Sequence, residues 1–163
     1  MPHLKKFVRF IHGTENATLF LLFLLLVGLA FSQVLLRNFF DTAIIWADVA
    51  IRILVLWITI FGAMVATRQH RHIRIDLVPN WLSGRARDFV RSLYLLIASI
   101  VAFVVAFYSF EIIQLEWQYP VMAFASIPTW MTQSIIPLGF LVIGLRFFIQ
   151  GLCALYDGVR AAK

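Results

Sequence analysis

An all-α membrane protein is the fold class this sequence predicts: four transmembrane helices with short amphipathic interfacial helices, and both termini cytoplasmic. Three observations lead there. Hydrophobic residues make up 62% of the 163 and charged residues 13%, with a mean hydropathy of +0.90. Soluble domains carry roughly half and about a quarter, and a chain this short buries only about 70% of its unfolded surface. That much apolar side chain cannot be hidden from water, so a soluble enzyme, a disordered tail and a disulfide scaffold are excluded together. The second observation is four apolar runs at 17–36, 49–66, 92–110 and 121–145, each near the ~20 residues that cross a bilayer. The third is where the positive charge falls.

Taken in order, residues 3–12 come first. Leu4, Phe7, Val8 and Ile11 recur at helical spacing with Lys5, Lys6 and Arg9 opposite, the pattern of a short helix lying on a membrane surface. The first span covers about 17–36 and carries no charge. Ala30-Phe31-Ser32 offers small residues suited to signal cleavage, but the apolar run continues through Val34, Leu35 and Leu36, so the span is read as retained. The second covers about 47–66, apolar apart from Asp48 and Arg52, and the third about 91–112. In the intervening loop, Leu77, Val78, Trp81 and Leu82 follow a similar helical spacing, with Pro79 suited to a helix start and Trp81 to the headgroup level, and suggest a second surface helix. The fourth covers about 127–148 and holds Pro128 and Pro137. Pro137 frees the carbonyl of Gln133, predicting a kink that Ser134 or Gln133 would help to satisfy. The whole of 1–163 reads as a single integral membrane domain.

Lys5, Lys6 and Arg9 precede the first span; only Arg37 separates the first two spans; Arg68, Arg71, Arg74, Arg85, Arg87 and Arg91 separate the second and third. None lies between the third and fourth, and Arg146, Arg160 and Lys163 follow. Positive charge gathers on the cytoplasmic side, which places both termini and the central loop there. The net charge of +6 therefore points to anionic headgroups and gives no reason to expect nucleic acid.

Ionisable groups inside a membrane are paired or functional. Asp48 and Arg52 stand four apart, which suits a local ion pair, a polar contact to a partner subunit, or a proton or ion relay. Glu111 and Glu116 fall at the outer edge of the third span, where water reaches. His3, His12, His70 and His72 lie in or beside the loops. A membrane haem needs histidines facing each other within the bilayer, and zinc needs convergent ligands, so neither metal nor cofactor is expected. No phosphate-binding GxxxxGK[ST] occurs. Cys153, the single cysteine, is expected to be a small buried hydrophobe. Gly28 with Ser32, Gly62 with Ala66, and Ala98 with Ala102 and Ala106 repeat at intervals of four, spacing that lets helix backbones approach.

Two ordered motif sets carry a family resemblance. One is Trp46-Ala47-Asp48 followed by Arg52, Trp57, Phe61-Gly62 and His72-Ile73-Arg74-Ile75-Asp76. The other is Ser126-Ile127-Pro128, Trp130, Pro137-Leu138-Gly139-Phe140 and Arg146. Over roughly residues 15–150 the chain resembles the small permease (Q, DctQ-like) subunit of tripartite ATP-independent periplasmic (TRAP) transporters. Where that family often has Glu after the Trp, this chain has Asp48, which keeps the charge and shortens the reach.

The resemblance implies a non-catalytic subunit that scaffolds a large permease (M) subunit. That subunit carries the substrate and sodium sites, and a periplasmic substrate-binding (P) protein delivers an organic acid to it. It also implies residence in the bacterial inner membrane, with lipids as further partners and no cofactor. By the same resemblance Trp46, Asp48, Arg52, Trp57, Gly62, His72, Asp76, Pro128, Trp130, Pro137, Gly139 and Arg146 are candidate subunit-interface or structural residues. The rival readings are a stand-alone membrane adaptor or chaperone and a haem- or quinone-bearing redox subunit. The redox reading needs axial ligands at membrane depth.

Overall fold

The computed structural model describes residues 2–42, 44–68, 84–124 and 126–160. Five helices and one small hairpin follow in chain order: α1 (Pro2–Phe40), α2 (Ala47–Arg68), α3 (Gly84–Gln118), β1 (Met122–Phe124), β2 (Ile127–Pro128), α4 (Thr129–Gln133) and α5 (Ile135–Arg160). Four stretches are long and apolar enough to span a membrane: Ile11–Phe40, Ala47–Arg68, Asp88–Gln118 and Thr129–Tyr156. The expected all-α architecture with four membrane-length helices is what is found. The interfacial segment 3–12 is helical but is no separate element, because α1 runs unbroken for 39 residues. Gly13 and its weak-forming neighbours Thr14 and Asn16 do not break it; a single glycine costs about 1 kcal/mol. At 1.5 Å per residue α1 is ~58 Å long, well beyond the ~30 Å of hydrocarbon. The surface helix expected around Leu77 to Leu82 lies outside the described residues.

The chain divides into two compact units, Met1–Val65 with Ile112–Ile135, and Ala66–Glu111 with Ile136–Lys163. In the first, α1 ends with Asp41 in the left-handed region (φ 47°), a conformation that Asp tolerates at a helix C-terminus. The N–H of Thr42 then folds back to the carbonyl of Leu36 at 3.4 Å. α1 and α2 meet where Leu19 lies 3.8 Å from the position a Cβ would take on Gly62. Ala47, Ala50, Ile60 and Met64 are the buried apolar residues of α2.

The fourth span does not begin as the apolar run suggests. Residues 122–128 form an antiparallel hairpin, with Met122 opposite Pro128 and Phe124 opposite Ile127. Pro120 precedes it and Pro128 ends its second strand; proline fits strand edges and helix starts. Thr129 sends both its N–H (2.8 Å) and its hydroxyl (2.9 Å) to the carbonyl of Val121. This bond across the hairpin starts α4, whose N-cap Pro128 offers no side-chain cap. The helix interruption falls at Ser134, between α4 and α5. Pro137 thus sits in the first turn of α5, where its missing N–H costs little. Ser134 does satisfy a carbonyl, that of Met131 at 2.8 Å. α5 continues well past residue 148, so Arg146 falls near its middle.

In the second unit α3 and α5 pack tightly and antiparallel. Ser92 and Ser99, 2% and 1% exposed, are its most enclosed side chains. Around them Leu95, Ala102 and Ala106 of α3 and Ile143 and Ala154 of α5 are buried. A core of hydroxyls and small residues is what lipid favours, because close approach and hydrogen bonds, and not escape from water, hold helices together there. Cys153 proves exposed on α5, against the expectation of burial; Gly151 and Ala154 beside it are buried instead.

Candidate functional site

The candidates of the first unit begin in the turn before α2. Ala47 donates to the carbonyl of Ile44 and Ala50 to that of Trp46, each at 3.0 Å, so Trp46 supplies the carbonyl that opens the helix. Asp48 follows in the first turn, where a carboxylate meets the positive end of the helix dipole. Its partner is Gln33 of α1. The Gln33 Nε2 donates to Asp48 Oδ1 at 3.3 Å and lies 3.5 Å from the carbonyl of Ile44, both long for hydrogen bonds. The Asp48–Arg52 pair expected from their spacing is not made. Arg52 is exposed and, among the described residues, has no hydrogen bond or ion pair. An exposed pair gains little net energy, and Gln33 already engages the carboxylate.

Further along α2, Trp57 donates its indole N–H to the carbonyl of Thr132 at 2.9 Å. α4 is only five residues long, so its last carbonyls have no helical donor; Trp57 supplies one from another helix. Thr132 itself donates to Thr129 at 2.8 Å. Trp130 of α4 packs on Trp117 of α3 with ring centroids 4.4 Å apart, a contact worth about 0.5–1.5 kcal/mol beyond burial. Trp57 and Trp130 thus each join two helices of this unit, while Pro128 precedes α4. Glu116 is half-buried, with Oε2 enclosed, and is less open to water than its position at the span edge suggests. Glu111 is exposed as expected.

Trp46 also lines an open groove of about 590 Å³ between α1 and α2, with Gly28, Ser32, Ala50 and Leu54. In the second unit Pro137 is half-buried, Gly139 buried, and Arg146 half-buried and engaged with a neighbour. His72 and Asp76 lie outside the described residues.

The sequence reading missed the strongest helix pair. Ser92 donates to the carbonyl of Gly151 at 2.9 Å and Ser99 to that of Gly144 at 3.0 Å. A Cβ on Gly144 would stand 3.0 Å from Phe103, and one on Gly151 3.1 Å from Leu96. The signal was present: the two serines and the two glycines are each seven apart, the repeat that keeps two helices in register. Gln150 was missed as well. Its Nε2 donates at 3.0 Å to the carbonyl of Thr67, in the last turn of α2.

Long apolar helices joined by tryptophan, serine and glutamine contacts to backbone carbonyls define a multi-pass α-helical membrane protein. Among the described residues no three His, Cys, Asp or Glu side chains gather as a metal site would require. The chain belongs to the DctQ component family of tripartite ATP-independent periplasmic transporters, whose pattern matches residues 26–157, and it is a small permease component of that type. It is also similar to the sialic acid TRAP transporter permease protein SiaT of Haemophilus influenzae (strain 86-028NP), at 22% identity over 147 residues. The match takes in 90% of this chain and 23% of that protein, so the chain spans about a quarter of its curated relative.

Proposed function

We propose that this chain is the non-catalytic scaffold subunit of a TRAP transporter in a bacterial inner membrane. It braces a large permease subunit that performs sodium-coupled uptake of an organic acid, which a periplasmic binding protein delivers. In this reading both termini and the loop between the second and third spans face the cytoplasm, which the placement of the basic residues supports. The observation that carries the reading is the bareness of α1. In its span, Ile11–Phe40, no residue of the most apolar window is buried within the chain. Phe20, Leu21, Leu24, Phe31 and Val34 are each more than 60% exposed. So much uncovered side chain suits a helix set between lipid and a larger protein, and ill suits one enclosing a substrate path. A relative matched over only 23% of its length supports a partnership with a larger permease portion. The sialic acid in that relative's name supports an acidic substrate for the complex.

The test is reconstitution. The chain with its cognate large permease and binding protein should take up an organic acid into vesicles under an inward sodium gradient. Omitting the chain should abolish uptake, and the chain alone should carry nothing. Uptake by the chain alone would overturn the proposal.

A further inference from the structure

The connection from α3 to α4 is not built like a loop for water. From Trp117 to Leu145 the sequence holds no Asp, Glu, Lys, Arg or His, whereas the connection from α1 to α2 carries Asp41, which is exposed. Between Pro120 and Thr129 there is no Gly, Asn or Asp, the residues on which turns in water rely. The open side chains are apolar or aromatic instead: Trp117, Tyr119, Val121 and Met122 are each more than 60% exposed, and Met131 50%.

Trp57 ties this segment to a depth. It is the eleventh of the 22 residues of α2, ~15 Å from the helix start, and α2 is about as long as the ~30 Å of hydrocarbon is thick. Its bond to the carbonyl of Thr132 holds the end of α4 within an indole's reach of the middle of that span, and the hairpin runs directly into α4. The backbone there finds its partners within the chain. The hydroxyl of Thr132 covers the carbonyl of Thr129, that of Ser134 the carbonyl of Met131, and Trp57 the carbonyl of Thr132. Thr129 spends both its N–H and its hydroxyl on Val121, and the two strands pair with each other. At a wet surface water would supply these partners; irregular backbone at membrane depth has to find them in protein.

We infer that the hairpin strands and α4 form a re-entrant element set into one leaflet of the bilayer, and that their partner is lipid. Trp117 and Tyr119 suit the headgroup boundary, and Val121 and Met122 the acyl chains. The topology of the scaffold reading makes this the outer leaflet; the immersion itself does not rest on that reading. The consequence is that this connection is withheld from any soluble partner.

The test uses the full chain in lipid nanodiscs, first alone and then with its cognate large permease, with Cys153→Ser removing the native thiol. A nitroxide is attached at Met122→Cys and, for reference, at Leu24→Cys within the span of α1 and at Thr42→Cys beside Asp41. Oxygen concentrates in hydrocarbon, and a nickel chelate stays in water. The ratio of oxygen to chelate accessibility at 122 should therefore match that at 24 and exceed that at 42 severalfold. Val121→Cys is a second labelling site and should read the same, which guards against a variant that fails to fold. A ratio at 121 and 122 like that at 42 would overturn the inference and leave the hairpin open to a soluble protein. Loss of access to both reagents when the permease is added would overturn it in favour of a contact with that subunit. Sodium-driven uptake is measured separately, so this inference and the scaffold reading can fail independently.

Discussion

Along α3 and α5, Ser92 and Ser99 donate hydroxyl hydrogen bonds to the carbonyls of Gly151 and Gly144 on the facing helix. Along α1, Ser32 turns its hydroxyl back to the carbonyl of Gly28 in its own helix, at 2.8 Å, and the two residues border an open groove. The residue types are the same and the outcomes opposite. A Cβ on Gly144 would press on Phe103 at 3.0 Å, while one on Gly28 would meet nothing within 4 Å. Small residues spaced along a helix thus permit a close approach without specifying one. The tight seam needs matched repeats on both partners, and α3 and α5 have them: the serines stand seven apart and so do the glycines.

Gly144→Leu should break this contrast most severely. Overpacking a tight site costs about 1–3 kcal/mol, and here it also drives apart the pair that Ser99 joins. The purified variant should lose most of its folded fraction on heating in detergent at temperatures the wild type withstands. Unaltered melting would show the seam to be slack. Replacing both serines by alanine should cost about 1 kcal/mol in total, since interhelical hydrogen bonds in membranes average about 0.6 kcal/mol each. A measurable fall in melting temperature, smaller than that of Gly144→Leu, is the expected reading. Gly28→Leu should move the melting temperature least, within the ~0.5 kcal/mol typical of sites without close neighbours. A large loss there would mean that the groove closes in the working protein.

Much of the fold was legible before any coordinates. The second span is expected at 47–66 and found at Ala47–Arg68, because charge and hydropathy change sharply at its ends. The fourth was blurred because its apolar run joins a hairpin, a five-residue helix and a long helix without any change of composition. Pro137 announced an interruption near Gln133, and the break falls at Ser134; the start of α4 at Thr129, set by its bonds to the carbonyl of Val121, was not announced. Of the candidate residues, Trp57 and Trp130 were named by family likeness, but the residues they touch, Thr132 and Trp117, were not. Those partners are distant along the chain, and no local pattern joins them.

The sequence alone determined how many times this chain crosses a membrane and roughly where, since a span is a local sum of apolar residues set against a fixed bilayer thickness. Which faces meet was decided only by tertiary structure. In lipid an outward face and an inward face are equally apolar, so hydropathy loses the stripe that marks a buried side in water. The choice fell to a few directional contacts: Ser99 with Gly144, Trp57 with Thr132 and Gln33 with Asp48. Each depends on two helices arriving at the same depth.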